Sequence, residues 1–541
     1  MSVPERAVGA VATVPNVITN TDVRRARTRR PTTTLLRSLT AAVVGLVAVT
    51  FVLAATPTPA AGAEVEWFTG TVDEFYVVPD PLPPGEPGDL IRVQAVRETA
   101  SDVTVRIMYH SNDVLDRDRA VTGTLTYPKA AAPEGGWPVL STANGTVGMA
   151  TQCAISRNAQ SAPTWGLPVV AVASDYIGLG PVGERHPYLS RVSEGNSVID
   201  AVRAARNLPE ANAGTRWLSI GGSQGGHGSL SANELGAERA PELDLLGTVS
   251  LAPAAMFGNV YGGIDPFVVR VVSAMGFFGA LTEHPEIAAE DYASPAAIAA
   301  SAAIDTGCTP QITAAFLSVP FNGFWVNDPF TVEPARSILL ANDVGHARVD
   351  SPVLLVQGTA DTTVPVERTR DLFDRMCGAG QVVSYQEVEG ADHGNVGGRS
   401  AAEIRAWINA RLAGATAPDS CPETVVVPGV AEVVEGDAGS VTLRVPLNLT
   451  RPVSHRVSVL GMTGVVRDLD GQAAPGADYD AVAPSRVEFA PGQTEAHFLV
   501  TVHGDVEAEA DELIVMAFGQ VDGGRIGGLW GLGFGVVLDD D

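Results

Sequence analysis

Lysine is almost missing from this chain: 541 residues contain Lys129 and no other. The 35 Lys+Arg are therefore nearly all arginine. They face 62 Asp+Glu, for a formal charge of −27. So acidic a surface repels nucleic-acid phosphates, which excludes DNA and RNA as expected partners and leaves a hard cation such as Ca²⁺ as the better match for dense carboxylates. Cysteine is scarce too. Cys153, Cys308, Cys377 and Cys421 include no Cys-x-x-Cys pair and fit no zinc spacing, so a metal or redox centre built on cysteine is not expected. What is abundant is apolar: 45% hydrophobic residues against 18% charged, the balance of a globular chain with a substantial core. At about 150 residues per unit, the length implies two or three units.

The N-terminal segment stands apart. Arg24, Arg25, Arg27, Arg29, Arg30 and Arg37 precede an apolar run from Leu39 to Ala55, and Ala61-Gly62-Ala63 follows it. Positive, then apolar, then A-x-A is the order of a secretory signal, so residues 1–63 are expected to be cleaved before Glu64 and the mature protein to be extracellular. An uncleaved membrane anchor is the alternative. In an oxidising compartment four cysteines make two disulfides with three connectivities, of which Cys153–Cys308 with Cys377–Cys421 is favoured.

From about Val103 to Ala413, short β-branched runs alternate with helical stretches. Strands are expected at Val103–Met108, Val121–Tyr127, Pro138–Thr142, Val169–Ala173, Trp217–Ile220, Gly247–Leu251, Val353–Gln357 and Val382–Val388. Helices are expected at Glu194–Asn207, Gln224–Leu235, Val366–Met376 and Ala401–Leu412. This alternation predicts a mostly parallel sheet with helices on both faces, and the first two strands, lacking a helix between them, an antiparallel edge. Between Ala252 and Val349 the rhythm breaks. That segment is Ala-rich and carries Phe267, Phe277, Phe278, Phe316, Phe321, Phe324 and Trp325. It is too long for a structureless loop and reads as a helical insertion, a cap over the site or a plain helical subdomain. Residues 424–541 change character again, with alternating runs at Val441–Val445, Val457–Leu460, Ala496–Val502 and Leu513–Phe518, which predict an all-β sandwich. This segment holds 18 acids, six Arg and no Lys.

The sharpest motif is Gly221-Gly222-Ser223-Gln224-Gly225, set between an expected strand and an expected helix. Small residues let the chain turn sharply there and leave the serine strained and exposed, the nucleophile elbow of an α/β-hydrolase. A serine hydroxyl needs a base and an orienting acid, which in this fold follow in the order Ser, acid, His. Of nine His, only His393, His455, His497 and His503 lie beyond a plausible acid, and the last three fall in the sandwich. His393, in Gly390-Ala391-Asp392-His393-Gly394, is therefore the expected base. Asp361, after the strand Pro352–Gln357, is the expected acid. Asp392 is its rival, while Asp371 and Asp374 read as solvated helix positions. Backbone N–H groups of Gln224 and Thr146 are the expected oxyanion donors. His227, one turn into the helix, reads as a packed residue rather than a catalytic one.

Several ordered segments together resemble the secretory lipase family. They are Gly145-Thr146-Val147-Gly148 with Cys153, Asp175-Tyr176-Ile177-Gly178-Leu179-Gly180, His186-Pro187-Tyr188-Leu189, Gly222-Ser223-Gln224-Gly225-Gly226, Gly358-x-x-Asp361-x-x-Val364-Pro365 and Asp392-His393-Gly394. The resemblance covers about residues 65–415 and implies an extracellular triacylglycerol lipase or carboxylesterase with a capped α/β-hydrolase core; Asn144 stands where many relatives carry His. The C-terminal segment resembles a Calx-beta domain through Glu435-Gly436-Asp437, Gly476-Ala477-Asp478-Tyr479, Phe489-Ala490-Pro491-Gly492, Gly504-Asp505, Glu509-Ala510-Asp511-Glu512 and Asp539-Asp540-Asp541. That resemblance implies Ca²⁺ ligands at Glu435, Asp478, Asp505, Glu509, Glu512, Asp539, Asp540 and Asp541, with a structural β-module bearing a solvated acidic rim as the alternative.

The expected organisation is thus a signal at 1–63, an α/β-hydrolase domain at 64–421 with its cap at about 252–349, and a Calx-beta-like sandwich at 424–541. The expected chemistry is ester cleavage, of acylglycerols in particular, by a monomer that needs no cofactor for catalysis, with cell-surface or matrix association through the β-domain. A serine peptidase or an acyltransferase on the same fold is one alternative. A calcium-dependent adhesive protein with an inactive hydrolase domain is another.

Overall fold

The computed structural model describes residues 65–259, 266–320, 322–453, 455–466, 469, 471–527 and 531–540. The expected signal at 1–63 and the expected ligand Asp541 lie outside the described residues. Among the described residues no helix is long and apolar enough to cross a membrane.

A nine-stranded sheet organises residues 90–388: β1 (Leu90–Glu98), β2 (Asp102–Asn112), β3 (Asp118–Pro128), β4 (Trp137–Ala143), β5 (Val170–Ser174), β6 (Ala213–Gly222), β7 (Asp244–Leu251), β8 (Val353–Gly358) and β9 (Val383–Val388). Its order is β1-β2-β3-β5-β4-β6-β7-β8-β9. β1, β2, β3 and β5 pair antiparallel, and from β5 to β9 every pairing is parallel. Each strand expected from the sequence is present. The expected antiparallel edge gains one more member, β1, in which Arg92 and Gln94 are buried. Those side chains are stable inside because they donate to the carbonyls of Val77 and Gly70, and Arg92 also stacks over Phe68. Packing by the segment before the strand, rather than any local alternation, puts those polar positions in the core.

Helices flank the parallel part: α1 (Arg191–Arg206), α2 (Gln224–Arg239), then, after the insertion, α6 (Val366–Gly378) and α7 (Ala401–Leu412). The insertion between Leu251 and Val353 is helical as expected, with α3 (Pro266–Ala280), α4 (Thr309–Leu317) and α5 (Ala335–Ala341) its principal described helices. Its aromatics have a structural use. Phe277, Phe278, Phe316, Phe324 and Trp325 stack on one another in a core that also takes in Tyr188 and Met149 of the sheet domain. Phe267 alone of the described set stays out of that core, 61% exposed.

Both disulfides pair as favoured, Cys153–Cys308 and Cys377–Cys421. The first ties the cap to the loop after β4. Cys308 also bridges to Gly148, and the Thr309 N–H donates to the Val147 carbonyl at 3.1 Å.

The C-terminal strands form two further sheets: β10 (Val425–Pro428), β12 (Gly439–Leu449), β15 (Glu495–Gly504) and β17 (Arg525–Ile526) in one, and β11 (Val430–Val434), β13 (Val457–Gly464), β14 (Ser485–Phe489), β16 (Glu512–Asp522) and β18 (Leu532–Leu538) in the other. Apolar residues from both sheets, among them Leu443, Val459, Phe498 and Met516, meet in a core of their own.

Candidate active site

Ser223 sits between β6 and α2 with φ +59° and ψ −120°, a conformation that non-glycine residues avoid and that strand-to-helix elbows impose on a nucleophile. The glycines around it leave room for this turn. A Cβ on Gly221 would collide with the Gly225 carbonyl oxygen, and one on Gly225 would collide with that of Ala143. The elbow is pinned by the Ser223 N–H, which donates to the Leu251 carbonyl at 2.9 Å, and by the Ala254 N–H, which donates to the Ser223 carbonyl at 3.0 Å.

Asp361 and His393 come together. The His393 Nδ1–H donates to Asp361 Oδ2 at 2.7 Å, and the Asp361 carboxylate is fully buried while the imidazole is 26% exposed. The other carboxylate oxygen, Oδ1, accepts from the N–H groups of Thr363 and Val364 at 2.8 and 2.9 Å. The side chain is therefore fixed before the histidine arrives. Asp392, the rival acid, instead turns its own loop, accepting from the N–H groups of Gly394 and Asn395. With Nδ1 donating to Asp361, the lone pair of His393 is on Nε2. His393 and Ser223 line one cavity of about 750 Å³, and among the described residues neither His393 Nε2 nor the Ser223 hydroxyl is engaged by another group.

The same cavity is bordered by Asn144, Gly145 and Thr146. Among the described residues the backbone N–H groups of Thr146 and Gln224 take no acceptor, which leaves both to an incoming oxygen. The Thr146 hydroxyl is 2.8 Å from the Tyr188 hydroxyl, Tyr176 Oη donates to the Asn144 carbonyl, and Asn144 Nδ2 donates to the Ser174 carbonyl. These contacts hold the loop open without a histidine at position 144. Cap residues Val271, Val272, Met275, Thr313 and Leu317 complete an apolar wall, so the insertion shapes the cavity.

Sequence reasoning missed the polar cluster beneath the elbow. Glu194 of α1, fully buried, takes hydrogen bonds from Gln224 and His227, and lies 3.5 Å from His186. Burial opposes the charge on Glu194, yet the adjoining imidazoles of His186 and His227, the latter hydrogen-bonded to it, hold its carboxyl below the ordinary range. Burial likewise works against the His227 cation, but Glu194 keeps that imidazole above its ordinary range. His227 is thus a packed residue, as expected, with an ionised partner that no local pattern announced. The one signal available was an acid in the first turn of a helix rich in small and apolar residues.

At the far end of the sandwich, Asp478, Glu509 and Glu512 bring carboxylate oxygens within 4.8 Å of one another. Burial and the charges of Asp505, Asp539, Glu509 and Asp478 push Glu435 upward; burial and Asp478, Asp505, Glu507 and Asp539 do the same to Glu509. Glu512 rises furthest, to about 7, through burial, Asp478, Glu509 and Glu435. Six of the expected ligands therefore share one electrostatic neighbourhood. Asp540 is turned instead to the Gly436 N–H.

Residues 164–420 match the secretory lipase family model. Candida antarctica lipase A in its closed state superposes with a TM-score of 0.53 at 19% identity, over 64% of this chain and 87% of that one. The rice cell wall degrading esterase LipA from Xanthomonas oryzae gives 0.50 at 18%, over 59% of this chain and 96% of that one. These likenesses show the α/β-hydrolase fold, and with the family match they support a hydrolase of the lipase and esterase class. A curated relative from Mycobacterium tuberculosis (strain CDC 1551 / Oshkosh), 24% identical over an alignment of 378 residues that covers 63% of this chain and 82% of the relative, bears the name probable inactive lipase MT1628.

Proposed function

We propose that this chain is an active, secreted serine esterase that cleaves carboxylic esters, acylglycerols in particular, through an acyl-enzyme at Ser223. The observation that carries the proposal is the 2.7 Å His393–Asp361 hydrogen bond beside a strained Ser223 on the wall of one apolar cavity. His393 Nε2 takes the Ser223 proton as Oγ attacks the ester carbonyl, the N–H groups of Gln224 and Thr146 receive the oxyanion, and the imidazolium returns its proton to the departing alcohol. Water, activated by the same nitrogen, then attacks the acyl-enzyme and frees the acid. No step calls on a metal or an organic cofactor. The apolar cap wall favours an acyl chain over a peptide, which would need hydrogen-bonding groups along its backbone. Labelling by a fluorophosphonate, abolished in Ser223→Ala, tests the proposal; a chain that stays unlabelled would refute it and align this protein with the relative named inactive.

The expected Ca²⁺ site belongs to the proposal as well. The crowded carboxylates of Glu435, Asp478, Asp505, Glu509, Glu512 and Asp539 fit a hard cation: among the described residues none of Asp478, Glu509 and Glu512 has an Arg or Lys ion pair, and burial and mutual repulsion lift Glu435, Glu509 and Glu512. A bound Ca²⁺ would neutralise that repulsion and stiffen the end of the sandwich, with no part in the chemistry at Ser223.

A further inference from the structure

The cluster beneath the elbow allows proton positions to be assigned from donors and acceptors. Glu194 Oε1 accepts from the Leu189 N–H at 2.9 Å and from Gln224 Nε2 at 2.7 Å, and Oε2 faces His227 Nδ1 at 2.7 Å. The second ring nitrogen of His227 faces the Asn342 carbonyl oxygen at 2.8 Å. A carbonyl oxygen only accepts, and so does a carboxylate, so both ring nitrogens carry hydrogen and His227 is an imidazolium. Moving the proton to Glu194 would put it on the weaker base, whose other oxygen already takes two N–H donors. His186 is different. Its Nδ1 donates to the Ile177 carbonyl at 2.8 Å, which leaves the Nε2 lone pair of a neutral ring to accept from Gln224 Nε2 at 2.7 Å. The Gln224 amide is thereby held in one orientation, and its buried Oε1 has no partner. Turning the amide over would set that oxygen against the Glu194 carboxylate. An orphaned buried oxygen is costly, and here it sits on the residue whose backbone N–H faces the reacting carbonyl.

We infer that the buried His227 imidazolium–Glu194 carboxylate pair is a positioning device: it fixes Gln224 as an oxyanion donor and fastens the foot of the cap to the nucleophile helix, so that loss of the His227 proton switches activity off. The inference rests on the serine-esterase reading of Ser223. His227 is one turn beyond Ser223, and its N–H donates to the Ser223 carbonyl at 3.1 Å. Asn342 closes α5, at the C-terminal foot of the cap, and its Oδ1 accepts from the N–H of Arg191, the first residue of α1. Three segments therefore meet at one ring: α1 through Glu194, α2 through His227, and the cap through Asn342. The other charged or titratable groups facing this assembly are His186 across Glu194, the phenols of Tyr176 and Tyr188, whose ionisation the Glu194 charge opposes, and Asp343 beside Asn342, which is itself paired with Arg375 of α6. Phe257 stacks on the ring and brings no charge. A deprotonated His227 has one N–H for two acceptors. Either the cap foot or the carboxylate behind Gln224 then loses its donor.

The test is the pH dependence of kcat on a soluble ester, read by pH-stat for the full chain and for His227→Gln and Glu194→Gln, after fluorophosphonate labelling of the wild type. Failure to label sinks the serine reading itself and is told apart at that step. In a labelled enzyme, kcat should fall about tenfold or more through an alkaline transition above the ordinary histidine range. His227→Gln should lose about tenfold in kcat at neutrality and lack the alkaline transition, and Glu194→Gln should move it down by about one pH unit or more. A role confined to stability would lower Tm and leave the shape of the profile unchanged, so normalised profiles that superpose would overturn the inference. Should the variants fail to fold, ¹⁵N-histidine spectra of the wild type decide: two ring N–H groups on His227 at neutral pH are expected, and a single one overturns the assignment.

Discussion

Replacing Asp361 by Asn isolates the orienting role of the carboxylate, because its two oxygens have separate duties. Oδ1 holds the loop through the N–H groups of Thr363 and Val364, and Oδ2 faces His393 Nδ1 and, at 3.2 Å, Gln357 Nε2. An asparagine keeps its oxygen on the two backbone donors, since turning it over would confront them with an NH₂ group. Its Nδ2 then points at His393 Nδ1 and becomes a donor where an acceptor stood. His393 responds by moving its hydrogen to Nε2, where the lone pair is needed to receive the Ser223 proton. Loss of the correct tautomer costs about 10⁴-fold in kcat, roughly 5 kcal/mol of transition-state stabilisation. Stability should hardly change. Gln357 Nε2 keeps the carbonyls of Val364 and Gly358 as acceptors, so the donor–donor contact costs about 1 kcal/mol or less. The assay is initial-rate hydrolysis of a short soluble ester, with Tm measured alongside and Asp392→Asn as control, expected within about threefold of wild type. An Asp361→Asn variant that retains activity within tenfold of wild type, correctly folded, would refute the assignment of acid and base together.

Further expectations follow from the cap, the disulfide and the acidic end of the sandwich. Val272→Trp, which fills the apolar wall, should cut turnover of long-chain esters about tenfold or more while leaving acetyl esters nearly unaffected, as a chain-length series would read. Removing the Cys153–Cys308 bridge by a double Ser substitution opens a loop of 155 residues, an entropic loss of about 5 kcal/mol in the chain-entropy picture; Tm should drop and activity fall with it, since the bridge ties the cap to the Thr146 loop. In calcium-free buffer the sandwich should be more stable at pH 5 than at pH 8: Glu512, raised to about 7, binds its proton more tightly folded than unfolded, so stability falls as pH rises from the ordinary carboxylate range through 7. Excess Ca²⁺ should reverse that trend and raise the melting temperature of the sandwich, an effect that Glu512→Gln removes, as calorimetry with and without chelator would show.

How far the sequence carried these assignments depended on how local the physics was. The elbow at Ser223 was legible because a turn that tight tolerates only small neighbours, and chain order then singled out Asp361 and His393. The parallel strands were legible because burial on both faces writes continuous β-branched runs. Cap aromatics such as Phe277 and Phe316 announced a helical insertion, though not that they would stack on each other while aliphatic Val271, Val272 and Met275 lined the cavity. The strand β1 escaped notice because its polar residues are buried by a segment more than ten residues away in sequence. The Glu194–His227 pair escaped for the same kind of reason: a charged group in a core is stable only through partners from other elements, and no periodicity within α1 records them.

The central claim, that Ser223 is an activated nucleophile, is tested most directly by treating the purified protein with a fluorophosphonate at neutral pH and mapping the adduct by mass spectrometry. The account predicts one stoichiometric adduct on Ser223, formed in the wild type and absent or greatly slowed in His393→Ala. A folded wild-type protein that stays unmodified, or is modified at another residue, would contradict it.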